Sequence, residues 1–286
     1  MRAIGTSTQF CAVIGNPVAH SLSPAIHNAA YAALGLDFVY LAGQVEDVHS
    51  ALAGMRALSN FRGMSVTIPH KHEAMRHVDE IRAVDRAIGA INTVVHEGDR
   101  LIGLGTDGPG ALKALADAQV DLTGKHVLML GAGGAARMIA FTLAQQTRPA
   151  AITLLDINPT LLGQLSGDLA AEGNPAVHAA LLDNVTLAEA MSKAQVIIHC
   201  TSVGMHPNTT ASLVPVSLFR SGQVVFDIVY TPLETRLLAD ARSRGLQTVS
   251  GVEMFINQAV LQFEQFTGVE APVEVMRRVV MENLSA

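Results

Sequence analysis

A strand that runs straight into glycines and then into a helix limits this chain more than any other feature. Lys125 to Leu130 is an apolar strand pattern, Gly131-Ala132-Gly133-Gly134-Ala135 is the turn, and Ala136 and Arg137 open a helical pattern. A second strand pattern, Ala151 to Leu155, ends on Asp156, about twenty residues beyond the turn. Glycines let backbone amides approach a pyrophosphate, and the helix start behind them offers unpaired N–H donors and a positive dipole end. The pattern predicts a dinucleotide site, with Ala136 in the third small position. Enough chain precedes Gly131 for another domain. The expected order is therefore a substrate domain first and a cofactor domain second.

Strand and helix patterns alternate on both sides of this turn. Upstream, Phe10 to Ile14, Asp37 to Ala42, Met64 to Ile68 and Asn92 to His96 read as strands, and a helix capped by Ser23 begins at Pro24 and stops at Gly35. Downstream, strands at 126–130, 151–155, 195–199 and 224–229 are separated by helical patterns, with a last short strand near 246–249. Asn158-Pro159 marks another helix start. Strands spaced by helices require crossover connections and hence a parallel sheet. The predicted fold is α/β: an N-terminal α/β substrate domain plus a Rossmann-like, doubly wound parallel-sheet dinucleotide domain, with a cleft between them. The boundaries expected are 1–107 plus 257–286 for the substrate-binding and catalytic domain, and 108–256 for the dinucleotide domain. The C-terminal piece is assigned to the first domain because Val252, Phe255, Ile256, Ala259, Val260, Phe263 and Phe266 form one apolar helical stripe after the last strand.

Composition narrows the class. Hydrophobic residues make up 49% of the chain and charged residues only 15%, which suits a well-buried enzyme and excludes disorder. A net charge of -6 leaves no basic stripe for nucleic acid. Cys11 and Cys200 lie far apart without CxxC spacing, so neither a disulfide framework nor a zinc site is predicted, and no metal is expected. Met1 to Thr8 lacks the apolar core of a signal peptide, and the most apolar window, Val127 to Ala144, contains the glycine turn and Arg137. The expectation is a cytoplasmic protein with no membrane partner, acting as a monomer or homodimer.

Four upstream segments set polar residues among apolar ones: Ser21-Leu22-Ser23-Pro24, Val66-Thr67-Ile68-Pro69-His70-Lys71, Gly89-Ala90-Ile91-Asn92-Thr93 and Thr106-Asp107-Gly108. Together they supply hydroxyls, an amide, an ammonium and a carboxylate, the groups needed to grip a small polyhydroxylated acid. With the Gly131–Ala135 turn, Thr201-Ser202-Val203-Gly204-Met205, Asp227-Ile228-Val229-Tyr230-Thr231-Pro232, Gly251 and Gln258-Ala259, these segments resemble the ordered motif set of shikimate dehydrogenases. The resemblance runs from Ala12 to Gly268.

That resemblance implies a small-molecule ring carboxylic acid as partner, and roles for particular residues. Lys71 and Asp107 correspond to the catalytic pair. Ser21 and Ser23 match hydroxyls that hold the substrate carboxylate, with Tyr230 nearby, while Thr67, Asn92 and Gln258 match ligands of the ring hydroxyls. Gly131, Ala132, Gly133, Gly134, Ala135, Ile228 and Gly251 fall at cofactor positions. Asp156 is expected to accept hydrogen bonds from a ribose diol and to repel a 2′-phosphate. The loop 156–160 holds no Arg or Lys. NAD is therefore the expected cofactor, with NADP as the alternative and Arg137 as the one residue placed to favour it. His70 and His72 alternate like exposed positions and are given no role.

Two departures from the family pattern fall close to the catalytic pair: Ser65 and Gly105 each stand where relatives usually carry asparagine. They leave shikimate, quinate and an amino analogue open as ring acids, although Ser23, where quinate-using relatives often carry threonine, favours shikimate. A methylenetetrahydrofolate dehydrogenase-like enzyme shares a two-domain plan with a catalytic lysine but not the Ser-Leu-Ser-Pro and Asn-Thr segments. A non-catalytic NAD-binding protein has only Ser65 and Gly105 in its favour.

Overall fold

A computed structural model describes residues 4–173 and 176–285. The N-terminal stretch read for a signal peptide begins at Met1–Ala3, outside the described residues. The chain divides into two compact units: Met1–Thr106 with Ile256–Ala286, and Asp107–Phe255.

The first unit contains β1 (Gln9–Gly15), α1 (Ser23–Ala33), β2 (Phe38–Gln44), α2 (Val48–Arg56), β3 (Phe61–Val66), β4 (Glu80–Ile81), α3 (Ala83–Ile88), β5 (Thr93–Glu97) and β6 (Arg100–Leu104). Its sheet runs β2-β1-β3-β5-β6-β4. β1 pairs parallel with β2 and β3, whereas β5 pairs antiparallel with both β3 and β6. The hairpin between β5 and β6 was not foreseen. It turns at Gly98, whose φ of 66° suits glycine. The α1 cap also differs from expectation: Leu22 occupies the cap position without a side-chain bond, and Ser23 is already helical.

The second unit contains α4 (Asp107–Asp117), β7 (His126–Leu130), α5 (Gly134–Gln146), β8 (Ala151–Asp156), α6 (Pro159–Ala171), β9 (Ala176–Leu181), α7 (Asn184–Lys193), β10 (Val196–His199), β11 (Val224–Asp227), α8 (Arg236–Ser243) and β12 (Gln247–Ser250). Its six strands are all parallel, in the order β12-β11-β10-β7-β8-β9. This is the predicted doubly wound sheet, with its order reversing between β7 and β10. The edge strand β9 escaped the sequence reading because its residues are small and mostly exposed. Asn158 caps α6 as expected, its side chain accepting the Thr160 and Leu161 amides. Leu128, Leu130, Ile197 and Val225 carry the core beneath this sheet. α9 (Gly251–Thr267) follows β12 directly, and α10 (Val273–Ser285) ends the described chain.

The first unit encloses an aromatic cluster. His27 of α1 stacks on Tyr40 at 4.3 Å and lies near Phe263 and Phe266 of α9. Neither His27 ring nitrogen has a hydrogen-bond partner, and burial pushes the imidazole down to about 3. A histidine with a lowered folded pKa stabilises fully above its unfolded value of 6.5, and that contribution is lost as pH falls toward 3. The substitution His27→Phe should therefore flatten the acid limb of stability. Urea unfolding from pH 7 to pH 4 checks this; parallel curves for the two proteins would count against it.

Candidate active site

Pairing in the first sheet brings several chain ends to one edge. The C-terminal ends of β1, β3 and β6 lie there, together with the start of β5, because Ser65 faces Thr93 and Thr93 faces Leu104. Ser21 and Ser23 follow β1, Thr67 and Lys71 follow β3, Asn92 precedes β5, and Thr106 follows β6. The topology thus gathers most of the polar residues singled out upstream.

Backbone bonds set this edge. The Thr67 amide donates to the Ile14 carbonyl at 2.9 Å, and the Ile91 amide donates to the Lys71 carbonyl at 3.0 Å. The lysine is therefore tied to the segment that carries Asn92. His70 corrects the sequence reading: it is buried, and its Nε2–H donates to the Val45 carbonyl at 2.7 Å, bracing the loop before Lys71. His72 is exposed as expected and contacts the Gly89 carbonyl. Ser21 is half-buried and its hydroxyl accepts the Ser23 amide.

Beneath these residues runs a line of buried hydrogen bonds whose directions are fixed by valence. The Tyr40 hydroxyl donates to Ser65 Oγ (2.6 Å), which donates to Gln262 Oε1 (2.7 Å). Gln262 Nε2 donates to Thr93 Oγ1 (2.9 Å), which donates to Asn92 Oδ1 (3.2 Å), while Asn92 Nδ2 donates to Thr106 Oγ1 (2.9 Å). Ser23 joins through a hydrogen bond to Tyr40, whose phenol burial pushes up. Complete pairing makes such a network specific rather than costly. Gln258 and Gln262 are both buried, which excludes ordinary solvation for either. Tyr40 and Gln262 were not singled out for the site; the four-residue spacing from Gln258 was the signal for Gln262.

Gly105 has its own explanation. A Cβ there would meet Asp85 Oδ1 at 2.7 Å, so the Asp85 carboxyl fills the space a side chain would need. Asp85 is buried; desolvation pushes its carboxyl up to about 6, against the lowering effects of the Gly105 amide and the Arg82 charge. Ser65 and Gly105 are therefore each integrated with a neighbour.

In the second unit, the glycine turn leaves β7 at the reversal of strand order. Gly131 has φ 111°, and a Cβ on it would meet the Cys200 carbonyl at 2.8 Å. Gly133 and Gly134 differ: a Cβ on either would meet nothing within 4 Å, so no protein atom demands glycine there. The open space suits a pyrophosphate approaching the start of α5, where no side chain caps the helix. Ala132 is buried and Ala135 half-buried. Asp156 accepts the Ala132 amide on Oδ2 (2.6 Å) and the Asn158 amide on Oδ1 (2.7 Å), so its carboxylate braces the turn while retaining lone pairs for a ligand. Arg137, the residue that favoured NADP, pairs with Asp168 at 2.8 Å and lies over the Phe141 ring. Gly251 packs against Ile228 and Val229; a Cβ on it would meet the Val229 carbonyl at 2.6 Å. Asp107 is buried at the start of α4, and Tyr230 stacks on Phe255 at 4.6 Å. Burial, helped by the Asp107 charge, pushes the Tyr230 phenol up.

Among the described residues, no group of three or more His, Cys, Asp or Glu is arranged to hold a metal, and no helix is long and apolar enough to cross a membrane. Cys11 and Cys200 are free thiols; burial pushes Cys11 up to about 12.

The family profile for the shikimate dehydrogenase substrate binding domain matches residues 13–94, and that for the shikimate 5'-dehydrogenase C-terminal domain matches 251–281. A shikimate dehydrogenase (NADP(+)) of Moorella thermoacetica is 43% identical over 288 residues, covering 100% of this chain and 97% of the relative. The chain belongs to the shikimate dehydrogenase family. The family's structures share its fold: shikimate 5-dehydrogenase from Listeria monocytogenes, solved with shikimate and NAD, superposes with a TM-score of 0.90 at 32% identity over 98% of this chain and 99% of that one. Quinate dehydrogenase from Corynebacterium glutamicum, solved with NAD, gives 0.89 at 27% identity over 96% and 99%.

Within this family frame, the Asp85–Gly105 pair is testable on its own. Gly105→Asn should collide with the Asp85 carboxyl and lower the melting temperature by several degrees, at a cost of about 1–3 kcal/mol. Adding Asp85→Ala should recover most of the loss, as thermal unfolding of the two variants will show. Equal losses in both would mean that Asp85 does not govern that space.

Proposed function

We propose that this protein interconverts 3-dehydroshikimate and shikimate with a nicotinamide dinucleotide, and that NAD is the preferred form. The carrying observation is the gathering of Ser21, Ser23, Thr67, Lys71 and Asn92 at one sheet edge, braced by a fully paired buried network. Ser21 and Ser23 hold the substrate carboxylate with Tyr230, and Thr67, Asn92 and Gln258 hold ring hydroxyls. Lys71 takes the proton of the reacting hydroxyl during oxidation and returns it during reduction; Asp107 supplies the negative charge that favours the ammonium form. The nicotinamide ring supplies the hydride chemistry when bound. Gly131 to Ala135 cradle the pyrophosphate, and Ile228 and Gly251 shape the same edge.

Shikimate is favoured over quinate because neither departure from the family pattern opens space. Asp85 occupies the volume beside Gly105, and Ser65 is held between Tyr40 and Gln262. NAD is favoured over NADP because Asp156 presents a carboxylate at the end of β8 and Arg137 is engaged by Asp168. This preference departs from relatives named for NADP(+).

Initial rates with shikimate and with quinate, each with NAD and with NADP, test the reading. Shikimate with NAD should give the highest kcat/KM; a higher value with quinate or with NADP would overturn the corresponding choice. Lys71→Ala should lower kcat by about 10²-fold or more while leaving the dissociation constant for NADH unchanged. Unchanged turnover would remove Lys71 from the proton transfer. The double substitution Asp156→Ala with Ile157→Arg should shift the NADP-to-NAD ratio of kcat/KM upward by at least about tenfold. A constant ratio would show that Asp156 does not face the ribose.

A further inference from the structure

His199 is a buried histidine that this chemistry leaves unused. His199 ends β10, in the middle of the parallel sheet and beside the reversal of strand order, with its side chain 1% exposed. Its Nδ1 lies 2.8 Å from Asp227 Oδ1, and its Nε2 lies 2.5 Å from Thr201 Oγ1. Asp227, at the end of β11, is fully buried and also accepts the Val229 amide on Oδ1 (3.0 Å) and the Thr235 hydroxyl on Oδ2 (2.6 Å). Thr201 Oγ1 accepts the Val203 amide at 3.1 Å.

Valence fixes the first direction: a carboxylate only accepts, so His199 Nδ1 carries a proton and donates to Asp227. The Thr201 hydroxyl, which can donate or accept, closes the other side at Nε2. The result is a closed line from the Val203 amide through Thr201, His199 and Asp227 to Val229 and Thr235. It joins the segments that follow two adjacent strands, Cys200 to Met205 and Ile228 to Tyr230. Both are surfaces on which glycines rest. A Cβ on Gly131 would meet the Cys200 carbonyl at 2.8 Å and Thr201 Cγ2 at 3.1 Å, and one on Gly251 would meet the Val229 carbonyl at 2.6 Å. Moving Thr201 or Val229 therefore moves the glycine turn or the start of α9.

We propose that His199 is a positioning residue for the dinucleotide: acting through Asp227 and Thr201, it fixes the spacing of these two segments at the sheet edge where the cofactor binds. This rests on the cofactor reading above. A fully satisfied buried polar line constrains geometry where an apolar side chain would only fill volume. Asparagine at 199 keeps a donor for Asp227 but does not reach Thr201. Thr201→Val removes only the second link at constant shape.

The test uses the full-length protein with NADH and NADPH as fluorescent probes, and steady-state kinetics with shikimate. His199→Phe and Thr201→Val should raise the cofactor dissociation constant and cofactor KM by on the order of tenfold, with the shikimate KM changed far less. His199→Asn should recover part of that loss. In the unsubstituted protein, 15N-edited NMR should find a proton on His199 Nδ1. The inference is overturned if variants that melt near the parent temperature bind cofactor as the parent does. It is also overturned if cofactor and shikimate KM rise together, or if Nδ1 carries no proton. Failure of the parent protein to bind either NADH or NADPH would instead bring down the cofactor reading, and this inference with it.

Discussion

Parallel strand pairing is the constraint on which the rest of this structure depends. A strand cannot reach a parallel neighbour through a tight turn, so each pair in the second sheet requires a crossover, and each strand end opens a loop on the same edge. The order reverses between β7 and β10, the kind of place at which loops of an open parallel sheet part to opposite sides. The first position of the turn there, Gly131, is glycine because its backbone passes the Cys200 carbonyl too closely for a Cβ. The chemistry of the turn follows from that geometry.

The first sheet reaches a comparable arrangement by a mixed route. The β5–β6 hairpin reverses direction, so the start of β5 meets the ends of β3 and β6. Asn92 and Thr106 are thereby brought within hydrogen-bond distance, and the helix from Gly251 to Thr267 inserts Gln262 into the same network. A buried amide is stabilising only when both its ends are satisfied. Gln262 meets that condition through Ser65 on one side and Thr93 on the other. Ser65 is thus an integral link in this buried network.

Legibility in the sequence tracked the locality of the physics. The strand, glycine turn, helix and Asp156 could be read because each belongs to one short segment with its own stereochemical demand. The Asn158 cap was legible for the same reason. The Ser23 cap was not, because Leu22 is drawn into a helical conformation ahead of it. β9 was missed because an exposed edge strand of small residues carries no apolar alternation. His70 was misread as exposed because its partner, the Val45 carbonyl, lies on another loop.

The sequence by itself determined the alternating α/β plan, the position of the glycine turn, the family and the identities of the residues that resemble its motifs. All of these rest on local spacing and on side-chain types that serve few other purposes. Only the tertiary structure decided which polar residues are linked: Ser65 to Gln262, Asp85 against Gly105, Arg137 to Asp168, and His199 to Asp227. Each of these pairings joins residues from separate parts of the chain. Their partners are set by strand order and helix packing, which no short stretch of chain encodes alone.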